Sequence, residues 1–161
     1  MHAADEALAH CQISSLLSLY YQALDAGAFE TLESEVMAED ARWEVVQRAG
    51  QARVEDAAEG RERVIAWFRQ MLSGDVTMSE AGTVRHFLNT HVIAVDPSGR
   101  SARSTSHLQA VHTATMAILA VGTAQAEHVR TERGWRIRRY RVEERITEQD
   151  MQAFRAALGL E

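Results

Sequence analysis

The chain has 161 residues, enough for one substantial core, and it reads as a single domain over 1–161. A hydrophobic fraction of 46% excludes a disordered chain, no apolar run approaches the ~20 residues a membrane span needs, and a formal net charge of −6 argues against a nucleic-acid partner. All 17 basic residues are arginine, which excludes lysine Schiff-base chemistry, and the single cysteine, Cys11, excludes an internal disulfide.

The acidic start (Asp5, Glu6) lacks the basic and apolar stretches of a signal peptide, so a cytoplasmic protein is expected. Ile13, Leu16, Leu17, Tyr20 and Leu24 recur at helical spacing and predict a helix over 5–26, stopped at Gly27. Cys11 falls early in it with no basic neighbour to lower its pKa, which favours a structural thiol. Phe29, Leu32 and Val36 predict a second helix over 28–38. A short strand containing Trp43 follows over 42–47, and the polar stretch Arg48–Gly60 reads as a loop. Val64, Ile65, Phe68 and Leu72 predict a helix over 61–73, ending before Gly74.

From residue 83 β-branched and aromatic residues dominate, with long strands predicted at 83–95, 100–113, 121–131 and 134–147 and a closing helix at 149–158. Asp96-Pro97-Ser98-Gly99 has the residues of a type I turn. Helices followed by a meander define an α+β domain: a cone-shaped, curved antiparallel sheet of four long strands and a short one, wrapped by about three helices. Its open sheet predicts a homodimer or homotrimer.

Two residues stand out chemically. Asp25 ends the first helix, where a carboxylate meets the negative end of the macrodipole, at a cost of roughly 0.3–1 kcal/mol that a nearby cation would offset. It is either an exposed acid beside the helix stop or part of a site. His86 alternates with Val84, Leu88 and Val92, so it points with an apolar set, as a satisfied core group or as a pocket group. If the Asp96–Gly99 turn closes its hairpin without a bulge, His86 faces Gln109 and Leu88 faces His107. All four then share one face, with the histidines diagonal neighbours. Trp43, Phe68, Phe87 and Leu88 would supply apolar walls.

The mid-chain histidines (His86, His91, His107, His112, His128) show no metal-ligand spacing, so no metal is expected. Arg136, Arg138, Arg139 and Arg141 form a basic cluster among acids, solvated by default and otherwise a subunit interface or an anchor for an anionic carrier protein.

The segments "LSLYYQALDAGAFETL", "DARWEVV", "RHFLNTHVIAVDPSGRSARSTSHLQAVH" and "VRTERGWRIRRYRV" resemble the SnoaL-like branch of the nuclear transport factor 2-like (NTF2-like) superfamily over most of the chain. The pattern is most similar to scytalone dehydratases and hexachlorocyclohexane dehydrochlorinases. That resemblance implies a cofactor-independent dehydratase or polyketide cyclase of secondary metabolism, acting on a small hydrophobic cyclic carbonyl substrate. The alternatives are a ketosteroid-isomerase-like isomerase and a non-catalytic accessory subunit. It implies His86 as general acid–base, Asp25 as its orienting partner and His107 as a second acid–base group, with Tyr21, Trp43, Phe68, Leu88 and Gln109 around the substrate. Two tyrosines of the dehydratases are unmatched, Leu24 and Trp43 standing there, and Ala124 and Ala126 replace a Tyr and an acid after Gly122.

Overall fold

Helix α1 (Ala3–Asp25) buries the stripe Ala9, Ile13, Leu16, Leu17 and Tyr20, residues three or four apart. The computed structural model describes residues 2–72 and 83–157, apart from the side chain of Phe154. A Schellman turn ends α1: Gly27 adopts φ +66°, Ala28 N–H donates to the Ala23 carbonyl at 2.8 Å, and Gly27 N–H to that of Leu24 at 3.0 Å. This stop makes Asp25 the last helical residue.

The helix expected over 28–38 is shorter. One turn, α2 (Phe29–Thr31), leads into a π-helical run, Leu32–Val36, and the chain is already extended at Met37. Strand β1 (Met37–Ala49) is therefore far longer than 42–47, because both ends find sheet partners. The loop expected over Arg48–Gly60 is corrected too. Gly50, at φ +55°, and Gln51 form a two-residue turn, and β2 (Ala52–Glu59) folds back with Ala52 opposite Ala49. As an edge strand β2 buries only Val54 and Ala58, which is why its sequence reads as polar.

Next come α3 (Arg61–Met71), β3 (Val84–Val95), β4 (Ser101–His112), β5 (Ile118–Thr131), β6 (Gly134–Ile146) and α4 (Glu148–Ala157). The predicted helix ends at Ser73 and Leu158 lie outside the described residues. Among the described residues no helix is long and apolar enough to cross a membrane.

The six strands make one curved, unclosed sheet in the order β2-β1-β6-β5-β4-β3. It is mixed rather than antiparallel: three reversals through the β3–β6 meander leave β6 parallel to β1 where the two pair. Helix α1 crosses the inner face against β3 and β6, and α3 packs on β1 and β2.

The β3–β4 hairpin carries the correction that matters most for function. The Asp96–Gly99 turn forms, with Gly99 N–H donating to the Asp96 carbonyl at 2.8 Å. However, the strands start with Val95 opposite Ala102, and a bulge between Asn89 and Val92, with Thr90 at φ +53°, shifts the pairing again. His86 consequently faces Ala110 rather than Gln109, and Leu88 faces Leu108 rather than His107. A one-residue offset reverses which side chains point inward.

Candidate active site

The Asp25 carboxylate, held at the end of α1, receives two contacts from one residue of β3. Its Oδ2 accepts the backbone N–H of His86 at 2.9 Å, and its Oδ1 lies 2.5 Å from His86 Nδ1. His86 is thus the residue that hydrogen-bonds the carboxylate at the helix end, through both its backbone N–H and its ring. Tyr21, one turn earlier, stacks on the His86 ring with centroids 4.9 Å apart. The imidazole is fixed in position and plane, and with Nδ1 committed to Asp25, Nε2 is the nitrogen open to proton transfer. The two side chains are only 18% and 8% exposed, His86 and Asp25 respectively.

Both line a cavity of about 110 Å³ between α1, α3 and the inner sheet face. Trp43, Trp67, Phe68, Leu24, Met71, Leu108 and Val142 form apolar walls. The rings of Trp43 and Trp67 pack at 4.4 Å, and Trp67 Nε1–H donates to Asp56 Oδ2 of β2 at 2.6 Å, tying α3 to the edge strand. Trp43 Nε1–H donates at 2.8 Å to the hydroxyl of Tyr20, which also lines the cavity, and Tyr140 O–H, behind the wall, donates to the Tyr21 hydroxyl at 2.9 Å. Burial raises all three phenols above the usual range, so they act as neutral hydrogen-bonding groups.

A second carboxyl group lines the same cavity. Glu144 of β6 is 8% exposed, and its Oε1 accepts Gln47 Nε2–H at 2.6 Å. Burial raises its pKa, against smaller lowering effects of the Gln47 hydrogen bond and the His86 charge.

Of the residues expected at the site, Asp25, His86, Tyr21, Trp43 and Phe68 line the cavity. Leu88 packs at the margin of the core beyond its walls. His107 and Gln109 are not brought in. His107 is exposed on the outer face, opposite Asn89, its Nδ1 2.9 Å from Thr90 Oγ1, and Gln109 lies opposite the exposed Phe87. The cause is the hairpin offset. Within the arginine cluster Arg138 pairs with Asp40 at 2.8 Å, and Arg139 pairs with Glu44 at 2.8 Å. Among the described residues no three His, Cys, Asp or Glu side chains converge to hold a metal ion.

Gln47, Glu144 and Trp67 also line the cavity, beyond the residues the sequence points to. The signal existed: Glu144 is in phase with Tyr140, Val142 and Ile146 of β6, and Gln47 with Trp43, Val45 and Ala49 of β1. A polar residue in register with an apolar period-two set points inward.

An α1 lid over the concave face of a six-stranded sheet, with a cavity between, is the NTF2-like architecture. The chain belongs to the SnoaL-like domain family, which matches residues 5–141. Among solved structures it is similar to an NTF2-like protein with a cystatin-like fold from Novosphingobium aromaticivorans (25% identity, 92% of this chain and 88% of the other, TM-score 0.62). It is likewise similar to a candidate scytalone dehydratase from the same organism (19% identity, 92% and 91%, TM-score 0.69) and to a candidate NTF2-like dehydratase from Streptomyces avermitilis (18% identity, 84% and 95%, TM-score 0.61). A comparison with curated proteins found no match.

Proposed function

We propose that this chain is an acid–base enzyme that removes a carbon-bound proton beside a carbonyl group in a small, flat, apolar ring substrate. Loss of water or ring closure follows, so the protein acts as a dehydratase or cyclase on a polyketide-like or other cyclic carbonyl compound. The observation that carries this reading is the Asp25–His86 pair. A histidine anchored at 2.5 Å by a carboxylate, and stacked on Tyr21, presents one nitrogen to an apolar cavity.

Each part has a physical role. Proton abstraction from carbon needs a base that changes charge near neutral pH, which an imidazole does. Asp25 fixes the tautomer and stabilises the imidazolium that forms. The aromatic walls exclude water and favour a planar substrate. The family match and the two candidate dehydratases among the structural relatives support the elimination chemistry.

Hydrogen exchange tests the base directly. In D₂O the protein should wash deuterium into the α-position of 2-tetralone, a flat cyclic ketone, faster than buffer does, and His86→Ala should return the rate to that of buffer. Exchange that survives His86→Ala sinks the assignment.

A further inference from the structure

With His107 on the outer face, the described groups that hold His86 supply a base and no partner for the oxygen that must leave. The inner sheet face supplies one. Leu88, Leu108, Gly122, Glu144 and Gln47 pair in succession across five strands, and the neighbouring row contains His86, Ala110 and Ala120. Glu144 and His86 are therefore on adjacent rows of one concave face and line one cavity.

The surroundings of Glu144 differ from those of the other buried glutamate. Glu44, 7% exposed, sits between Arg42 at 2.7 Å and Arg139 at 2.8 Å, and these contacts hold its carboxyl low although burial opposes them. Among the described residues no arginine comes within ion-pair distance of Glu144, whose only hydrogen-bond partner is the uncharged Gln47. Among the described residues the buried Gln47 amide oxygen has no partner, so no further described group closes the pair. An isolated buried carboxyl group without a cation is most stable in its neutral, proton-carrying form, and burial indeed shifts Glu144 in that direction.

We propose that Glu144 is the general acid of this site, donating its proton to the leaving oxygen while His86 takes the proton from carbon. The inference rests on the eliminating reading of the Asp25–His86 pair. The step balances without a co-reactant. The C–H bond breaks, its proton goes to His86 Nε2, and its electron pair becomes the second bond of the new alkene. The adjacent C–O bond breaks, and the leaving oxygen takes the Glu144 proton and departs as water. An imidazolium and a carboxylate remain, and one proton passed from His86 to Glu144 through solvent resets the site. Gln47 is the positioning residue: its amide fixes the rotamer of the carboxyl group without giving it a positive charge.

Two Kemp substrates test the acid separately from the base. Base attack on benzisoxazole or 5-nitrobenzisoxazole removes a carbon-bound proton and breaks an N–O bond, releasing a phenolate oxygen. The unsubstituted compound has the poorer leaving group and depends more on a proton donor. Glu144→Gln, nearly the same shape, should slow benzisoxazole by about 10²-fold or more and the nitro compound by clearly less. Glu144→Asp should restore part of the benzisoxazole rate. In the infrared spectrum at neutral pH, the wild-type protein should show the carbonyl stretch of a protonated carboxyl group, and Glu144→Gln should lack it. Equal slowing of both probes, no slowing, or an absent protonated-carboxyl band overturns the role of Glu144. Failure of the wild-type protein to accelerate either probe, or rates that survive His86→Gln, overturns the base reading instead, and the infrared band still decides the state of Glu144.

Discussion

Two histidines point into the same concave sheet face and illustrate what separates a working imidazole from a structural one. His86, on β3, reaches the cavity, holds a carboxylate at 2.5 Å and stacks on a tyrosine. His128, on β5, is 2% exposed and pairs across the sheet with Ala102 and Ile137. Its Nε2 lies 2.9 Å from Ser104 Oγ, and its Nδ1 has no partner among the described residues. A neutral ring that donates from Nε2 leaves only a bare lone pair at Nδ1, whereas a charged ring would bury an unpaired N–H. Burial accordingly lowers the His128 pKa to about 4. The same residue type on the same face is thus open to proton transfer in one place and locked neutral in the other. The difference is the anionic partner and access to the cavity.

Removing its anion should make His86 resemble His128. Asp25→Asn keeps the shape but not the charge, and nothing then stabilises the imidazolium. The 2-tetralone exchange rate should fall by about 10²–10⁴-fold. The low-field Nδ1–H proton resonance expected of a carboxylate-bound imidazole should disappear in the same variant. An exchange rate within threefold of wild type would show that the carboxylate does not support the base.

His128 should instead appear in stability. Its folded pKa, about 4, lies below the ordinary value of 6.5, so the unfolded chain binds a proton that the folded chain excludes. Its contribution is complete above pH 6.5 and is lost as pH falls toward 4, by about 3 kcal/mol in all. Glu144 acts in the opposite sense. Its folded pKa is raised, so its contribution is present at low pH and declines as pH rises through its titration. Urea denaturation of wild type and His128→Gln at a series of pH values separates the two, since Glu144 is common to both proteins. The difference between them should narrow as the solution is acidified, and a constant difference would mean that His128 is not held neutral.

The same contrast explains how much was legible in the sequence. Ile13 to Leu24 and the Schellman stop at Gly27 are local, so the first helix and the place of Asp25 could be read directly. The alternation Val84, His86, Leu88 was local too. The partner of each β3 residue was not, because it depended on the closing pair of the hairpin and on a bulge at Thr90 whose backbone no turn residue announced. His107 and Gln109 therefore lie on the face opposite to the one an unbulged register predicts. β2 was missed because an edge strand buries too little to show a hydrophobic pattern, and Glu144 was overshadowed by its arginine neighbours although its phase was readable.

Gly122 of β5 sets the strand spacing beside Glu144. It pairs with Glu144, and a Cβ there would lie 2.3 Å from the Glu143 carbonyl oxygen and 2.8 Å from Glu144 Cα. Both are backbone atoms that no rotamer change can move. Gly122→Ala must push β5 from β6 and should lower stability by about 1–3 kcal/mol in urea denaturation. An unchanged midpoint would mean that the strands tolerate a wider spacing beside Glu144.

A near-silent substitution gives the most direct check on which way the β3–β4 hairpin faces. His107 is exposed, on the outer face, and touches only Thr90 among the described hydrogen bonds. His107→Ala should change stability by less than about 0.5 kcal/mol and leave the 2-tetralone exchange rate at the wild-type value. The sequence-based register makes the opposite prediction, because it sets His107 beside His86 as a second acid–base group. A large loss of exchange in His107→Ala, with the fold intact, would move the bulge, turn β4 over and return Leu108 to the surface. A silent variant leaves the cavity with a single histidine and puts the burden of any proton donation on Glu144.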